Sequence, residues 1–81
     1  MFVTLEISYY PLSNEFESPI NEFIEQISAN NNIKIESGTM SSLVSGDYSE
    51  VMKTITETMG TLMKKHPSIF NIKISNSCPI K

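Results

Sequence analysis

The fold is decided by one stretch, residues 33–47, which reads Ile33-Lys34-Ile35-Glu36-Ser37-Gly38-Thr39-Met40-Ser41-Ser42-Leu43-Val44-Ser45-Gly46-Asp47. Isoleucines alternate with charged residues at its start, which is typical of a strand with one buried face. Gly38 and small polar residues interrupt the alternation before a second β-rich run begins. The stretch therefore predicts a hairpin of two strands, residues 33–37 and 41–45. The inward side of the second strand stays open, because Gly38 or the loop can introduce a bulge.

The segment before this hairpin predicts a strand followed by a helix. Residues 2–10 alternate between apolar and polar side chains until Pro11, which cannot donate to a sheet ladder. Ser18 and Pro19 are typical of the N-cap and the first helical position. An apolar stripe at helical spacing follows, consisting of Ile20, Phe23, Ile24 and Ile27. We expect this helix to end near Ala29, because the three asparagines at 30–32 favour turns.

The segment after the hairpin predicts a second helix and a last strand. Asp47 and Glu50 have the spacing of a capping box, with Asp47 at the N-cap. Pro67 ends the helix, and residues 69–75 alternate again. Gly60 falls in the middle of this helix, where glycine costs about 1 kcal/mol relative to alanine. Close packing against another element or subunit, or drift, would explain it.

The resulting order, β-α-β-β-α-β, predicts one α+β domain over residues 1–81 with the ferredoxin-like fold. Right-handed crossovers place both helices on one face of a four-stranded antiparallel sheet and leave the other face open. The open face is expected to carry Thr4, Glu6, Ser8, Tyr10, Lys34, Glu36, Asn71, Lys73 and Ser75. Such a polar face suits solvent, or a second protomer with a ligand held nearby.

Charge and composition argue against two classes of partner, nucleic acids and membranes. The chain has a net charge of −3, and all six of its basic residues are lysines. Because nucleic-acid readers use arginine for bidentate contacts, we expect no nucleic-acid partner. Anionic membranes are disfavoured for the same electrostatic reason, and no apolar run approaches the roughly 20 residues needed to span a bilayer. A single cysteine and a start without a basic region favour a cytoplasmic protein.

Residues that would carry chemistry are sparse. His66 is the only histidine and precedes Pro67 without a cysteine or carboxylate at metal-ligand spacing. Cys78 lies in the tail without a neighbouring base, so we expect no catalytic role for its thiol. The three glycines lie too far apart to form a phosphate-binding loop. These observations predict a protein that is not an enzyme and holds no metal or cofactor.

Three features together resemble one known family. They are the opening strand Leu5-Glu6-Ile7-Ser8-Tyr9-Tyr10-Pro11-Leu12, the segment Glu36-Ser37-Gly38 leading into Ser42-Leu43-Val44-Ser45-Gly46-Asp47, and the order of elements. In these the chain is similar to the thiamine-binding protein family, the YkoF-like group, over about residues 3–76. The resemblance implies a small cytoplasmic ferredoxin-like protein that forms dimers or tetramers and binds thiamine or its hydroxymethylpyrimidine part. Family members often carry a basic residue after the last strand, where this chain has Ser75-Asn76-Ser77.

The resemblance and the chemistry of thiamine together select six ligand-binding residues, namely Ser8, Tyr10, Glu36, Ser37, Gly38 and Ser42. The serine hydroxyls would bond the aminopyrimidine, and Gly38 would let the ligand approach the backbone. Glu36 would accept from the exocyclic amine or offset the thiazolium charge, and Tyr10 would stack on a ring.

Each of these residues also has a purely structural explanation. The serines can be ordinary strand residues, Glu36 can pair with a lysine such as Lys34 or Lys73, and Tyr10 can pack at an oligomer interface. An alternative function is an oligomerisation or regulatory module that binds another small metabolite. An enzyme acting on a pyrimidine is a weaker alternative, because Glu36 would have no paired acid, base or metal.

Overall fold

The computed structural model describes residues 1–12 and 17–77. Its elements are β1 (Phe2–Pro11), α1 (Glu17–Ser28), β2 (Ile33–Ser37), β3 (Ser42–Asp47), α2 (Tyr48–Lys65) and β4 (Ser68–Ser75). The strands form one antiparallel sheet in the order β2-β3-β1-β4. This is the ferredoxin-like α+β fold that the sequence predicts. No helix in the described part of the chain is long and apolar enough to cross a membrane.

The sheet register settles which side chains share a side. Leu5 lies opposite Val44 on one neighbouring strand and Ile74 on the other. Directly opposed residues of an antiparallel sheet point to the same side, so β3 directs Ser42, Val44 and Gly46 towards the helices. The register runs through β3 without a bulge. We call the helix-packed side of the sheet the covered side and the opposite side the open side.

The core lies between the covered side and the two helices. Its buried apolar residues are Val3, Leu5, Ile7, Phe23, Ile27, Val44, Val51, Ile55 and Leu62. An aromatic cluster extends the core at one end, where the ring of Tyr9 stacks on Phe70 with centroids 4.5 Å apart and contacts Phe23 at 5.5 Å. The alternation of β1 and the apolar stripe of α1 predicted the core residues of these two elements, whereas the inward direction of Val44 was left open.

Several boundaries differ from the prediction. α1 begins at Glu17, so the assignment of Ser18 to the N-cap and Pro19 to the first position is wrong. Pro19 is nevertheless tolerated in the first turn, where backbone N–H groups have no intrahelical partner. β3 covers residues 42–47 rather than 41–45, because its pairing with β1 continues to Asp47 opposite Phe2. Asp47 is the N-cap of α2 as predicted and accepts from the Ser49 backbone N–H at 3.2 Å.

The end of α1 is stabilised by side-chain hydrogen bonds rather than by a residue in the left-handed backbone conformation. The Asn30 amide nitrogen donates to Glu50 Oε1 at 3.0 Å and to Thr54 Oγ1 at 2.8 Å. Its amide oxygen accepts from the Asn32 backbone N–H at 2.9 Å. Glu50, expected to complete the capping box with Asp47, therefore binds Asn30 instead. The side chain of Asn30 ties the end of α1 to α2.

Candidate ligand-binding site

A cleft of about 100 Å³ opens where the β2–β3 hairpin meets α1. Its described lining consists of Ile7, Tyr9, Ile20, Phe23, Ile24, Ser37, Gly38, Thr39, Met40, Ser41 and Ser42. The side towards the core is apolar and aromatic, whereas the hairpin contributes hydroxyl and backbone groups. Because hydroxyls both donate and accept hydrogen bonds, this arrangement suits a small flat ring with polar atoms on its edge.

The hairpin turn brings these groups together. The Gly38 backbone N–H donates to the Ser41 carbonyl at 2.8 Å and closes the turn. A Cβ atom at position 38 would come within 3.0 Å of the same carbonyl oxygen, so the turn has no room for a larger residue without moving. The Ser41 hydroxyl donates to Glu6 Oε2 at 3.2 Å and anchors the turn to β1. The turn that forms the mouth of the cleft is thus held in place by these two hydrogen bonds.

The structure divides the six predicted residues into two groups of three. Ser37, Gly38 and Ser42 line the cleft, and Ser42 is only 8% exposed. Ser8, Tyr10 and Glu36 lie on the open side. Each directly follows a residue of the covered side in its strand, and consecutive residues of a strand point to opposite sides. The sheet therefore separates one half of the predicted site from the other.

Glu36 has a lysine partner on the open side. Its Oε2 atom lies 3.5 Å from Lys34 Nζ, and both side chains are largely exposed. Lys73, the other lysine considered from the sequence, lies 4.0 Å from Glu6 Oε1 instead. Exposed ion pairs of this kind contribute about 0–1 kcal/mol, so neither carboxylate is held tightly by its lysine.

Two residues near the cleft have roles that the sequence analysis did not assign to them. Tyr9 is part of the lining of the cleft, and its hydroxyl lies 3.3 Å from Ser68 Oγ. The alternation of β1 placed Tyr9 on the covered side, but the choice of an exposed ring for stacking favoured Tyr10. Glu6 supports the hairpin turn through Ser41, a contact that no local pattern indicates.

The remaining reactive residues do not form a site in the described part of the chain. No group of three histidine, cysteine, aspartate or glutamate side chains there has metal-binding geometry. His66 is the C-cap of α2, and its backbone N–H donates to the Leu62 carbonyl at 2.8 Å. Cys78 lies outside the described residues.

Comparisons with known proteins add likeness in structure. No protein-family model matches the chain, and no curated protein matches it in sequence. A Thermotoga maritima protein provisionally assigned to thiamine biosynthesis or salvage superposes with a TM-score of 0.83 and 24% identity, covering 95% of this chain and 85% of that one. A Streptococcus pneumoniae protein gives 0.85 and 15%, covering 95% and 88%.

A third structure, the domain of unknown function DUF77 from Bacillus cereus, gives a TM-score of 0.78 and 18% identity, covering 100% of this chain and 83% of that one. At these identities the likeness establishes the fold. The same fold is thus found in a protein provisionally assigned to thiamine biosynthesis or salvage and in a domain of unknown function.

Proposed function

We propose that this protein binds thiamine or its hydroxymethylpyrimidine moiety without changing it, and serves in sequestration, salvage or sensing. Two observations support the proposal. The fold is shared with the Thermotoga maritima protein provisionally assigned to thiamine biosynthesis or salvage. The cleft at the β2–β3 hairpin combines an aromatic face with several hydroxyl groups. The second observation carries the proposal, because it concerns this chain's own residues.

The size of the cleft favours the pyrimidine half of thiamine. Sites for whole drug-sized ligands usually measure about 300–1,000 Å³, so a cleft of about 100 Å³ accommodates a single ring. In the proposed arrangement the aminopyrimidine lies against Tyr9, and its ring nitrogens and amine bond the hydroxyls of Ser37 and Ser42. Gly38 leaves the backbone approachable at the mouth of the cleft.

The edge strand β2 offers a binding place for the thiazolium half of thiamine. Glu36 and Ser37 are consecutive, so their side chains lie on opposite sides of the last strand of the sheet. A ligand made of two linked rings can therefore place one ring in the cleft and reach around the edge towards Glu36. The carboxylate would attract the thiazolium cation, although salt screens an exposed charge strongly. We therefore expect the pyrimidine to supply most of the affinity.

The cleft has little equipment for catalysis. Tyr9 is the only side chain with a titratable proton among the described residues that line it, apart from weakly acidic hydroxyls. General acid–base chemistry requires a positioned group that exchanges protons near the working pH. We therefore propose a binding protein, acting in the cytoplasm as a homodimer or homotetramer, rather than an enzyme.

Thermal unfolding in the presence of thiamine, hydroxymethylpyrimidine and thiamine pyrophosphate tests this function. A ligand at 100 times its dissociation constant adds about 2.7 kcal/mol of stability. For a domain of this size, each kcal/mol raises the melting temperature by roughly 4–8 °C. We expect thiamine and the free pyrimidine to raise it, and the pyrophosphate to raise it less, because the described residues that line the cleft include no lysine. No shift with any of the three at millimolar concentration would favour the alternative, a regulatory module for another metabolite.

Paired serine substitutions on β3 locate the site. Ser42 points into the cleft, whereas Ser45 lies on the open side of the same strand. Losing one hydrogen bond of about 1 kcal/mol weakens binding roughly fivefold, so Ser42→Ala should reduce affinity for the pyrimidine by about that factor. Ser45→Ala is the matched control and should leave affinity unchanged. Equal effects of the two variants in calorimetry would place the ligand elsewhere.

A further inference from the structure

The strand β4 forms an exposed apolar edge of the sheet. It is eight residues long and pairs with β1 along its whole length. No strand in the described part of the chain pairs with its outer side. Ile72 is 38% exposed and Ile74 is 46% exposed, although both lie on the covered side of the sheet. The helix layer therefore covers this part of β4 only partly.

The opposite edge of the sheet is built differently. β2 has only five residues and carries Lys34 and Glu36, and short, charged edge strands resist pairing with other chains. β4 carries one charged residue, Lys73, on its open side, but it is longer than β2, has Phe70, Ile72 and Ile74 on its covered side, and its continuous register excludes a bulge. Long, flat and apolar edges are templates for adding another strand. Of the two edges, β4 is the one suited to an intermolecular contact.

We propose that β4 pairs antiparallel with β4 of a second copy of this chain, with the two-fold axis at Ile72. The two four-stranded sheets then join into one sheet of eight strands, with all four helices on one side. Such an interface is isologous, since the same residues are contributed by both copies. It specifies the contact in the oligomer proposed above, but it does not depend on the ligand.

The sequence of β4 favours this register. With Ile72 at the axis, the covered side pairs Ile72 with Ile72 and Phe70 with Ile74, so every pair is apolar. On the open side Lys73 then lies opposite Asn71, which brings no like charges together.

The adjacent registers fit less well. Moving the axis to Lys73 would place two lysines opposite each other, which is destabilising. Moving it to Asn71 would place Ile74 opposite the polar Ser68. A shift of the pairing by one residue would put the apolar side chains on the wrong side of the joined sheet. Charge and apolar matching therefore select the axis at Ile72.

Disulfide trapping tests both the contact and its register. In a Cys78→Ser background, Ile72→Cys places two thiols at the axis, where opposed Cα atoms lie about 4.5–5.5 Å apart, within disulfide range. Lys73→Cys is the matched control, because its two copies would be offset by two residues along the strand and more than about 8 Å apart. We expect mild oxidation to give a covalent dimer with the first variant and little with the second. A dimer formed equally or preferentially by Lys73→Cys would overturn the register.

Light scattering of two lysine variants tests the contact without oxidation. At about 100 μM the native chain should have the mass of a dimer or a multiple of it. Ile72→Lys should halve that mass. Leu43→Lys, which lies on the open side at a strand inside the sheet, should leave it unchanged. A monomeric native chain would overturn the proposal, as would an assembly disrupted by Leu43→Lys but not by Ile72→Lys. Circular dichroism verifies that both variants are folded, and none of these outcomes depends on thiamine binding.

Discussion

The two sides of the sheet use the same backbone for opposite purposes. In β1 the covered side carries Leu5 and Ile7, which are almost completely buried, while the open side carries Glu6 and Ser8, which are partly accessible. A single step along β1 therefore separates a residue that stabilises the fold from one that is accessible to solvent. We expect the free energy of unfolding to depend strongly on Leu5 and weakly on Glu6, and the following substitutions test that difference.

The largest expected effect comes from emptying the centre of the covered side. Leu5→Ala removes a fully buried side chain and leaves a cavity, which costs about 2–5 kcal/mol. A domain whose free energy of unfolding is about 5–15 kcal/mol would lose a large part of it. Urea unfolding followed by circular dichroism measures the loss.

Glu6→Gln, the adjacent residue on the open side, is the control for that experiment. Its ion pair with Lys73 is long and exposed, and the glutamine amide oxygen can still accept from the Ser41 hydroxyl, so we expect a change within about 0.5 kcal/mol. If Glu6→Gln were as damaging as Leu5→Ala, the open side would have to be buried in the native assembly. That result would contradict the separation of the two sides.

The next effect concerns a buried polar group in the helix layer. The hydroxyl of Thr58 in α2 is completely buried and has no hydrogen-bond partner among the described residues. Leaving a buried hydroxyl unsatisfied costs about 1–3 kcal/mol, so Thr58→Val should raise the free energy of unfolding by about 1 kcal/mol or more. Differential scanning calorimetry should show a higher melting temperature.

Thr54 is the matched control one helical turn earlier. Its hydroxyl accepts a hydrogen bond from the Asn30 amide at 2.8 Å, so Thr54→Val removes a satisfied contact between α1 and α2. We expect it to lower stability by about 1 kcal/mol. A stabilising Thr54→Val, or a destabilising Thr58→Val, would show that the hydrogen-bond state of these two hydroxyls does not govern their contributions.

The separation of the two sides also explains what the sequence could predict. Alternation in β1 and β4 and the apolar stripe of α1 follow from local periodicity, and they were sufficient for the fold and most of the core. The inward side of β3 was not predictable, because it depends on how many residues the turn at 38–41 takes up. Only the register with β1 shows that Ser42 points inward.

The lining of the candidate cleft was predictable only in part, for a related reason. Ser37, Gly38 and Ser42 were identified from residue type and resemblance, and they meet at one cleft. Tyr9 was passed over in favour of Tyr10, because local sequence does not reveal that the Tyr9 ring, although it packs against Phe23 and Phe70, also lines the cleft. A cleft is a property of the distance between elements, and no local pattern encodes that distance.

A smaller effect is expected on the outer surface of the helix layer. A Cβ atom at Gly60 would meet nothing within 4 Å, so close packing inside the described chain does not explain this glycine. Gly60→Ala should therefore raise stability by about 1 kcal/mol through helix propensity. Gly46→Ala is the contrasting variant, because Gly46 has φ +153° and its Cβ would come within 3.0 Å of Ile33; it should destabilise. Should Gly60→Ala weaken self-association in light scattering, the helix layer would also carry a subunit contact.

The smallest effect is expected at the ion pair between Asp47 and the Met1 ammonium. The Met1 ammonium donates to Asp47 Oδ1 at 3.1 Å, and this bond and its charge lower the pKa of Asp47 below its ordinary value. A carboxylate with a lowered pKa stabilises the fold at pH values above its unfolded pKa of about 3.9, and the contribution disappears as the pH falls through the folded pKa.

Asp47→Asn keeps an oxygen for capping α2 but removes the charge, so the variant should lose less stability than the native chain between pH 5 and pH 3. Urea midpoints across that range measure the difference. Acetylation of the Met1 amine is the control, because it removes the ammonium and leaves Asp47 in place. It should also reduce the fall of the urea midpoint between pH 5 and pH 3. High salt should shrink both differences, since the pair is exposed and screened. A difference that persists in 1 M salt would mean that helix capping, rather than the ion pair, gives Asp47 its pH dependence.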